Sequence, residues 1–241
     1  MRKVQLFATC LVDTFFPSVG EAVVHVLQTA GARVELPAGQ TCCGQPPFNA
    51  GLRSAASRIA QQTIRTLEEA EGDVVLPSGS CTHMIRHNYP ELFAEDPAWL
   101  QRAQDLAGRT YEFTEYLIDV LGVSNWGARW DGPLAYHPTC HLHRGIGVDR
   151  QPRALLSMLK GAEIRDLPEE EDCCGFGGIF SVEHPELSAA MLERKISNFE
   201  ATDSETLVVC DAGCLMHIQG GLQRKGARQR VIHIAEALAT R

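Results

Sequence analysis

A cysteine pattern that occurs twice in this chain limits how it can fold. Each copy has a lone cysteine, a Cys-Cys-Gly motif about thirty residues later and a last cysteine about forty residues beyond. The two copies are Cys10, Cys42, Cys43 and Cys81, then Cys140, Cys173, Cys174 and Cys214. Corresponding cysteines are 130, 131, 131 and 133 residues apart. A register kept this closely predicts two equivalent halves that each present four thiols.

The composition indicates the kind of partner and the compartment that suit such a protein. Twenty-two basic and 30 acidic residues give a formal charge of −8, which argues against a nucleic-acid partner. We expect no transmembrane segment, because no stretch approaches the roughly 20 apolar residues that a span requires. The start of the sequence, MRKVQLFATC, has no export signal. Nine cysteines without such a signal indicate reduced thiols and a cytoplasmic protein.

Strand and helix signals alternate within each copy. We predict strands at 3–9, 33–36 and 73–76 and helices at 19–30, at 50–70, from near Cys81 and over 111–121 in the first copy. The second copy has corresponding strands at 134–138, 163–167 and 206–210 and helices at 151–160 and 185–200. This order predicts an α/β fold of two pseudo-repeated halves, 1–125 and 126–241, each with a parallel sheet and helices on both faces. The turn-rich stretch 122–133 is the predicted junction between them. All eight repeated cysteines then lie at the carboxyl ends of strands, where such sheets bind ligands.

Four thiolates are the ligand set of a cubane iron–sulfur cluster, so each copy is a candidate site for one [4Fe–4S] cluster. The ninth cysteine, Cys210, is a candidate fifth ligand in the second half or a small buried residue that ends a strand. Zinc is the alternative metal. His137, Cys140, His141 and His143 lie within seven residues, and imidazole with thiolate suits Zn²⁺. Zinc could also substitute where iron has been lost.

His141 and Arg144 are candidate catalytic residues beside the second thiol set. The planar guanidinium of Arg144 could bind a substrate carboxylate through two hydrogen bonds. The alternatives are that Arg144 pairs with an acid such as Asp172 and that His141 caps a helix. We expect the acidic run PEEEDCC at 168–174 to be a solvated loop edge. Glu115 and Glu236 are expected in helices without a catalytic role.

Four motifs, CCGQPPFNAG, HPTCHLHR, CCGFGGIFSV and DAGCLMHI, resemble those of the cysteine-rich CCG domain family over nearly the whole chain. The family includes the cysteine-rich component of heterodisulfide reductase and the iron–sulfur subunits of glycolate oxidase and anaerobic glycerol-3-phosphate dehydrogenase. Its heterodisulfide reductase pattern ends each half with C-x-x-C. Here the earlier position is Ser78 or Asp211, which leaves four thiols per half and weakens any transfer of disulfide-cleaving chemistry.

The length and loop sequences are most similar to the lactate utilization protein A group of that family. This resemblance implies an iron–sulfur electron-transfer subunit that oxidises L-lactate to pyruvate with two further lactate-utilization proteins, one of them an iron–sulfur protein. Electrons would pass to an acceptor such as quinone, and partners could hold the chain at the inner face of the membrane. The alternatives are a glycolate oxidase subunit, a thiol–disulfide reductase of the heterodisulfide type and a zinc-binding structural module.

The two sites are not expected to be equal. The loop after Cys174 is rich in glycine, whereas Pro46 and Pro47 stiffen the loop after Cys43. We therefore expect the second site to be the more exposed and the more chemically active.

Overall fold

The structure, a computed structural model that describes residues 1–240, consists of two units, Met1–Gly122 and Val123–Arg241. Each unit contains one four-stranded parallel sheet. Helices connect successive strands in both units. The predicted α/β class, with a parallel sheet in each half, is therefore confirmed.

The first unit begins with a strand and alternates strands with helices. Its strands are β1 (Arg2–Leu6), β2 (Ala32–Glu35), β3 (Asp73–Leu76) and β4 (Thr110–Glu112). Its α-helices are α1 (Cys10–Phe15), α2 (Pro17–Thr29), α3 (Gln45–Asn49), α4 (Arg53–Glu68), α5 (Gly79–His83), α6 (Tyr89–Leu92), α7 (Pro97–Gly108) and α8 (Phe113–Glu115). The segments Met84–Asn88 and Tyr116–Val120 are π-helical.

The second unit follows the same plan with fewer helices. Its strands are β5 (Arg129–His137), β6 (Lys160–Arg165), β7 (Thr206–Val209) and β8 (Arg230–His233). Its α-helices are α9 (Arg150–Ser157), α10 (Phe180–Glu183), α11 (Pro185–Glu200), α12 (Ala212–Lys225) and α13 (Ile234–Leu238). The segment His141–Gly145, directly after β5, is π-helical.

The two sheets have the same strand order. It is β2-β1-β3-β4 in the first unit and β6-β5-β7-β8 in the second. In each, the first strand in sequence pairs with the second on one side and the third on the other, so the order reverses beside it. Ligands of open α/β sheets bind at the carboxyl ends of strands where such a reversal occurs.

The central strands carry the core. Val74, Val75 and Leu76 of β3 are 0% exposed, as are Leu207, Val208 and Val209 of β7. Consecutive residues of a strand point to opposite faces, so burial of all three shows that both faces of each sheet are covered. The unbroken apolar run in the sequence reflects this two-sided burial.

Several predicted boundaries are wrong for local reasons. The predicted helix 50–70 is α4, which begins only at Arg53 because Gly51, with a φ of 73°, separates it from the short helix α3. Pro46 and Pro47, expected to stiffen a loop, instead lie in the first turn of α3, where proline is well tolerated. Strand β5 begins inside the segment 122–133 that was predicted to be a turn-rich junction.

Each unit ends on the same strand-to-helix connection. Glu112 ends β4 and caps α8, with Glu115 closing a capping box. His233 ends β8 and caps α13, with Glu236 closing the equivalent box. Glu115 and Glu236 thus stabilise helix starts, through the reciprocal side-chain to backbone hydrogen bonds that define a capping box.

Among the described residues, no helix has the length and apolar character to cross a bilayer.

Glu112 makes the stability of the first unit depend on pH. Its side chain is fully buried, and burial raises its pKa to about 8 although Thr114 donates hydrogen bonds to it from both its backbone and its hydroxyl. An unfolded glutamate has a pKa of about 4.3. Between these values the folded protein holds a proton that the unfolded chain has released, so the free energy of unfolding falls as pH rises.

In the wild type, we predict that the free energy of unfolding falls by a few kcal/mol between about pH 5 and pH 8. In Glu112→Gln, which has no carboxyl group at this position, this fall should be absent. Urea unfolding of the wild type and the variant at both pH values measures it. Glu71→Gln, whose side chain is 88% exposed, is the control and should keep the wild-type dependence. Equal pH dependence in the wild type and Glu112→Gln would show that Glu112 does not cause it.

Candidate metal centres

The predicted cysteines lie past the carboxyl ends of three neighbouring strands in each unit. In the first, Cys10 begins α1 after β1, the Cys-Cys-Gly motif lies between β2 and α3, and Cys81 lies in α5 after β3. In the second, Cys140, the Cys-Cys-Gly motif and Cys214 follow β5, β6 and β7 in the same way. Each sheet thus directs four thiols to one edge.

The thiols of the second unit form two close pairs. The Sγ atoms of Cys140 and Cys173 are 3.9 Å apart, and those of Cys174 and Cys214 are 3.3 Å apart. In the first unit the corresponding thiols, Cys10 with Cys42 and Cys43 with Cys81, are also joined by hydrogen bonds. The structure therefore brings together both predicted sets of four.

Burial follows the same pattern in both sets. Cys10, Cys42, Cys140 and Cys173 are half-buried, and Cys43, Cys81, Cys174 and Cys214 are buried. The expectation that the second set is the more exposed is therefore wrong. The difference between the two sets lies in the side chains around them.

The glycine of each Cys-Cys-Gly motif sets the direction of the backbone. Gly44 and Gly175 have φ values of 87° and 89°, and their N–H groups donate to the Sγ atoms of Cys42 and Cys173, both at 3.4 Å. Such positive φ values strain residues that carry a Cβ. The third residue of the motif thus turns the backbone so that an amide faces the first thiol, while the second thiol enters the core.

Capping residues hold the helices that carry the last cysteines. Ser78 caps α5, and its Oγ accepts a hydrogen bond from the backbone N–H of Cys81 at 3.2 Å. Asp211 caps α12 and accepts from the N–H of Gly213 at 2.9 Å. These are the two positions where the heterodisulfide reductase pattern has a further cysteine. In this chain they fix a ligand-bearing helix by capping it.

One thiol of each set is favoured as the thiolate. The hydrogen bond from the Cys10 thiol lowers the pKa of Cys42. The equivalent bond from Cys140 lowers the pKa of Cys173. The pKa of each donor, Cys10 or Cys140, is raised in turn. The first residue of each Cys-Cys-Gly motif is therefore a ready thiolate donor for a metal.

The second set also has buried nitrogen groups beside it. His137 and Lys195 are both 0% exposed. The Nζ atom of Lys195 donates to the carbonyl oxygens of Glu169 at 3.0 Å and Glu170 at 3.1 Å. Burial, and then the charge of Lys195, lower the pKa of His137 to about 4, and burial also lowers the pKa of Lys195.

His141 and Arg144 lie on the π-helical turn after Cys140. The Nδ1 atom of His141 is 3.6 Å from the Sγ atom of Cys140, so its imidazole adjoins the thiol set. Arg144 donates to the carbonyl oxygen of Glu171 at 3.1 Å. Asp172, the acid expected as its alternative partner, lies 3.0 Å from the guanidinium of Arg194.

Cys210 is buried at the end of a central strand of the second unit. It follows β7, is 0% exposed, and its Sγ atom is 3.8 Å from the hydroxyl oxygen of Tyr136. Its position at the end of a buried strand is that of a small core residue.

Arginine side chains anchor the acidic run 168–174. Arg153 lies 2.7 Å from Glu170, and Arg194 pairs with Glu169 and Asp172. Ion pairs therefore hold this loop in place, and the loop also supplies the backbone carbonyl groups to which Lys195 donates. The sequence analysis did not identify Lys195. Its spacing from the apolar residues of α11, which places it on the buried face of that helix, could have indicated it.

A family model described as a cysteine-rich domain, CCG, matches residues 4–86 and 134–219 of this chain. Lactate utilization protein A 2 of Bacillus cereus (strain Q1) is 45% identical over 237 residues, with 98% of each chain covered. Lactate utilization protein A of Bacillus velezensis is 47% identical over 239 residues, with 99% of this chain and 100% of the relative covered.

Among solved structures, an aspartate racemase homologue from Pyrococcus horikoshii OT3 covers 99% of this chain and 96% of its own. Its TM-score is 0.34 and its sequence identity is 11%. A likeness at this level carries no argument about the chemistry of this chain.

The geometry of the second Cys-Cys-Gly motif gives a testable prediction. A Cβ atom on Gly175 would lie 2.7 Å from the carbonyl oxygen of Ser188, and its φ is 89°. Gly178, in the same loop, also has a positive φ, but nothing lies within 4 Å of its Cβ position. We expect Gly175→Ala to cost about 2 kcal/mol or more and to lower the metal content of the second unit.

Gly178→Ala is the matched control and should keep its metal. Metal analysis and thermal unfolding of both variants, purified without oxygen, measure the difference. Equal metal content in the two variants would contradict the role assigned to Gly175.

Proposed function

Since this chain belongs to the cysteine-rich CCG domain family, among relatives named lactate utilization protein A, we propose that it is an iron–sulfur electron-transfer subunit of a system that oxidises L-lactate to pyruvate. The observation that carries the proposal is the convergence of four thiols at one sheet edge in each unit. Oxidation of the lactate alcohol to a ketone releases two electrons and two protons, which a partner must collect.

The donor chemistry of both thiol sets suits iron–sulfur clusters, which cysteine thiolates hold. Cys10, Cys42, Cys43 and Cys81 would hold one [4Fe–4S] cluster, and Cys140, Cys173, Cys174 and Cys214 a second. A bound cluster supplies a site that accepts and releases single electrons. The amides of Gly44 and Gly175 already donate to thiol sulfur, and such hydrogen bonds raise the potential of a cluster.

The thiol pairs must change on loading. Their close approach depends on protons shared between a thiol and a thiolate, and metal binding displaces those protons. Once the protons have left, no hydrogen bond draws each pair together. The half-buried pairs, Cys10 with Cys42 and Cys140 with Cys173, have more room to move than the buried pairs.

The proposal includes partners. Two further lactate-utilization proteins, one carrying iron–sulfur clusters, would take electrons from lactate, and quinone would be the final acceptor. The chain would work in the cytoplasm, at the inner face of the membrane through these partners. Support comes from the names of the relatives and from the nine cysteines, none of which forms a disulfide in the described part of the chain.

The thiol spacing favours a second candidate, a structural zinc module. Two thiolates on one tetrahedral Zn²⁺, with Zn–S bonds of about 2.3 Å, lie about 3.8 Å apart. The Sγ distance of 3.9 Å between Cys140 and Cys173 is close to that value, whereas the 3.3 Å between Cys174 and Cys214 is shorter.

Purification without oxygen separates the two candidates. The electron-transfer proposal requires a brown protein that contains iron and acid-labile sulfide, and that restores lactate-dependent reduction of a quinone when mixed with its two partners. A colourless protein with one zinc ion per unit would establish the zinc module in its place.

The unequal surroundings of the two sets predict unequal effects of losing a cysteine. Cys173 lies in the unit that contains buried His137 and Lys195, whereas Cys42 is its counterpart in the other unit. We expect Cys173→Ser to lower the activity of the reconstituted complex more than tenfold, and Cys42→Ser mainly to lower stability and iron content. Lactate-dependent quinone reduction and iron analysis measure these effects. Equal loss of activity from both variants, with iron retained in each, would contradict this order.

Metal and folding should be coupled at both sets. Without metal, several thiols at one sheet edge lose their coordination energy, and the loops that carry them lose their main restraint. We expect loops 41–49 and 173–181 to exchange amide hydrogens faster in the chelated protein, while β3 and β7 stay protected. Hydrogen exchange of the anaerobic loaded and chelated forms measures this. If both loops exchange equally slowly in the two forms, the sites are preformed.

A further inference from the structure

His137 is a buried side chain that is left incompletely bonded beside the second thiol set. It ends β5 and is 0% exposed. Its Nε2 atom is buried and has no hydrogen-bond partner among the described residues. Leaving such an atom unpaired costs about 1–3 kcal/mol, so its position requires an explanation.

The contact made by the other ring nitrogen, Nδ1, determines the protonation of Nε2. The Nδ1 atom of His137 lies 3.2 Å from the carbonyl oxygen of Glu170. A carbonyl oxygen only accepts hydrogen bonds, so Nδ1 carries the proton and Nε2 of the neutral ring has a free lone pair. Lys195 donates to the same carbonyl at 3.1 Å and helps to hold it in place. A backbone carbonyl on Nδ1 is the usual support for a histidine that binds metal through Nε2.

The imidazole of His137 has two thiols as neighbours. His137, Cys174 and Cys214 each offer a ligand atom, and these three atoms lie within 4.8 Å of one another. A metal with bonds of about 2.0–2.1 Å to nitrogen and about 2.3 Å to sulfur holds such atoms roughly 3.5–3.8 Å apart. Small side-chain movements would therefore place all three on one metal.

The first unit lacks this nitrogen. Phe7 occupies the equivalent position, one residue beyond β1 and three before Cys10, as His137 is three before Cys140. Phe7 is 1% exposed and belongs to a hydrophobic cluster that includes Cys43 and Cys81. The imidazole is thus a feature of the second unit and not a requirement of the fold.

We propose that His137 is a metal ligand, and that the second centre has a mixed imidazole and thiolate donor set while the first is bound by thiolates alone. The inference rests on the proposed function only in requiring that the second thiol set binds metal. In iron–sulfur proteins, imidazole ligands in place of thiolates raise the reduction potential. The second centre would then be the stronger electron acceptor of the two.

The test uses Co²⁺ alone, so that its outcome does not depend on whether the natural metal is iron or zinc. Metal-free protein with ¹⁵N-labelled histidine is loaded with Co²⁺ without oxygen and studied by electron–nuclear double resonance. We expect the strong hyperfine coupling of a nitrogen bonded directly to the metal. This measurement on the wild-type chain does not depend on the folding of any variant.

Two variants assign the nitrogen. His137→Phe, which introduces the residue of the first unit, should abolish the coupling and weaken Co²⁺ binding to the second unit about tenfold or more. His141→Phe is the control, because the Nδ1 atom of His141 is 3.6 Å from the Cys140 sulfur; the coupling should persist. Wild-type protein that binds Co²⁺ without a nitrogen coupling, or a coupling lost only in His141→Phe, would overturn the proposal.

The outcome is separable from that of the electron-transfer proposal. Nitrogen coupling in a protein that never accepts electrons would leave His137 as a ligand of a structural metal. A chain that binds no Co²⁺ at the second thiol set would overturn the inference together with any metal site there.

Discussion

Parallel pairing of one strand with a neighbour on each side is the constraint on which both thiol sets depend. β1 pairs with β2 and β3, and β5 pairs with β6 and β7, all in parallel. The carboxyl ends of the three strands share one edge, so the segments that leave them carry cysteines from distant parts of the sequence to one place.

The two units use one framework for different chemical surroundings. Backbone features recur: a glycine at positive φ after each cysteine pair and a capping residue before each last cysteine. Side chains around them diverge. The first set packs against Phe7, whereas the second adjoins His137 and the buried cation of Lys195. Because charge and ligand type set the potential of a metal centre, divergence at these few positions lets a duplicated fold hold two unequal centres.

The α/β class and the central strands were predictable, because burial on both faces leaves an apolar run that can be read directly. Residues 73–76 were predicted as a strand and form β3. Shorter elements were missed. β4 has three residues and was included in a predicted helix over 111–121, since a segment of that length has no measurable periodicity. The break between α3 and α4 depends on the conformation of Gly51 and not on any hydrophobic pattern.

The sequence by itself determined the duplication, the eight cysteines and their place after strands, because spacing and strand order are properties of the chain. Only the tertiary structure decided which thiols pair, that Ser78 and Asp211 cap the ligand-bearing helices, and that Cys210 contacts Tyr136. It also decided that Lys195 is buried and that a ring nitrogen of His137 lies within 4.8 Å of two thiols. These properties depend on contacts between residues far apart in the chain, which no local pattern encodes.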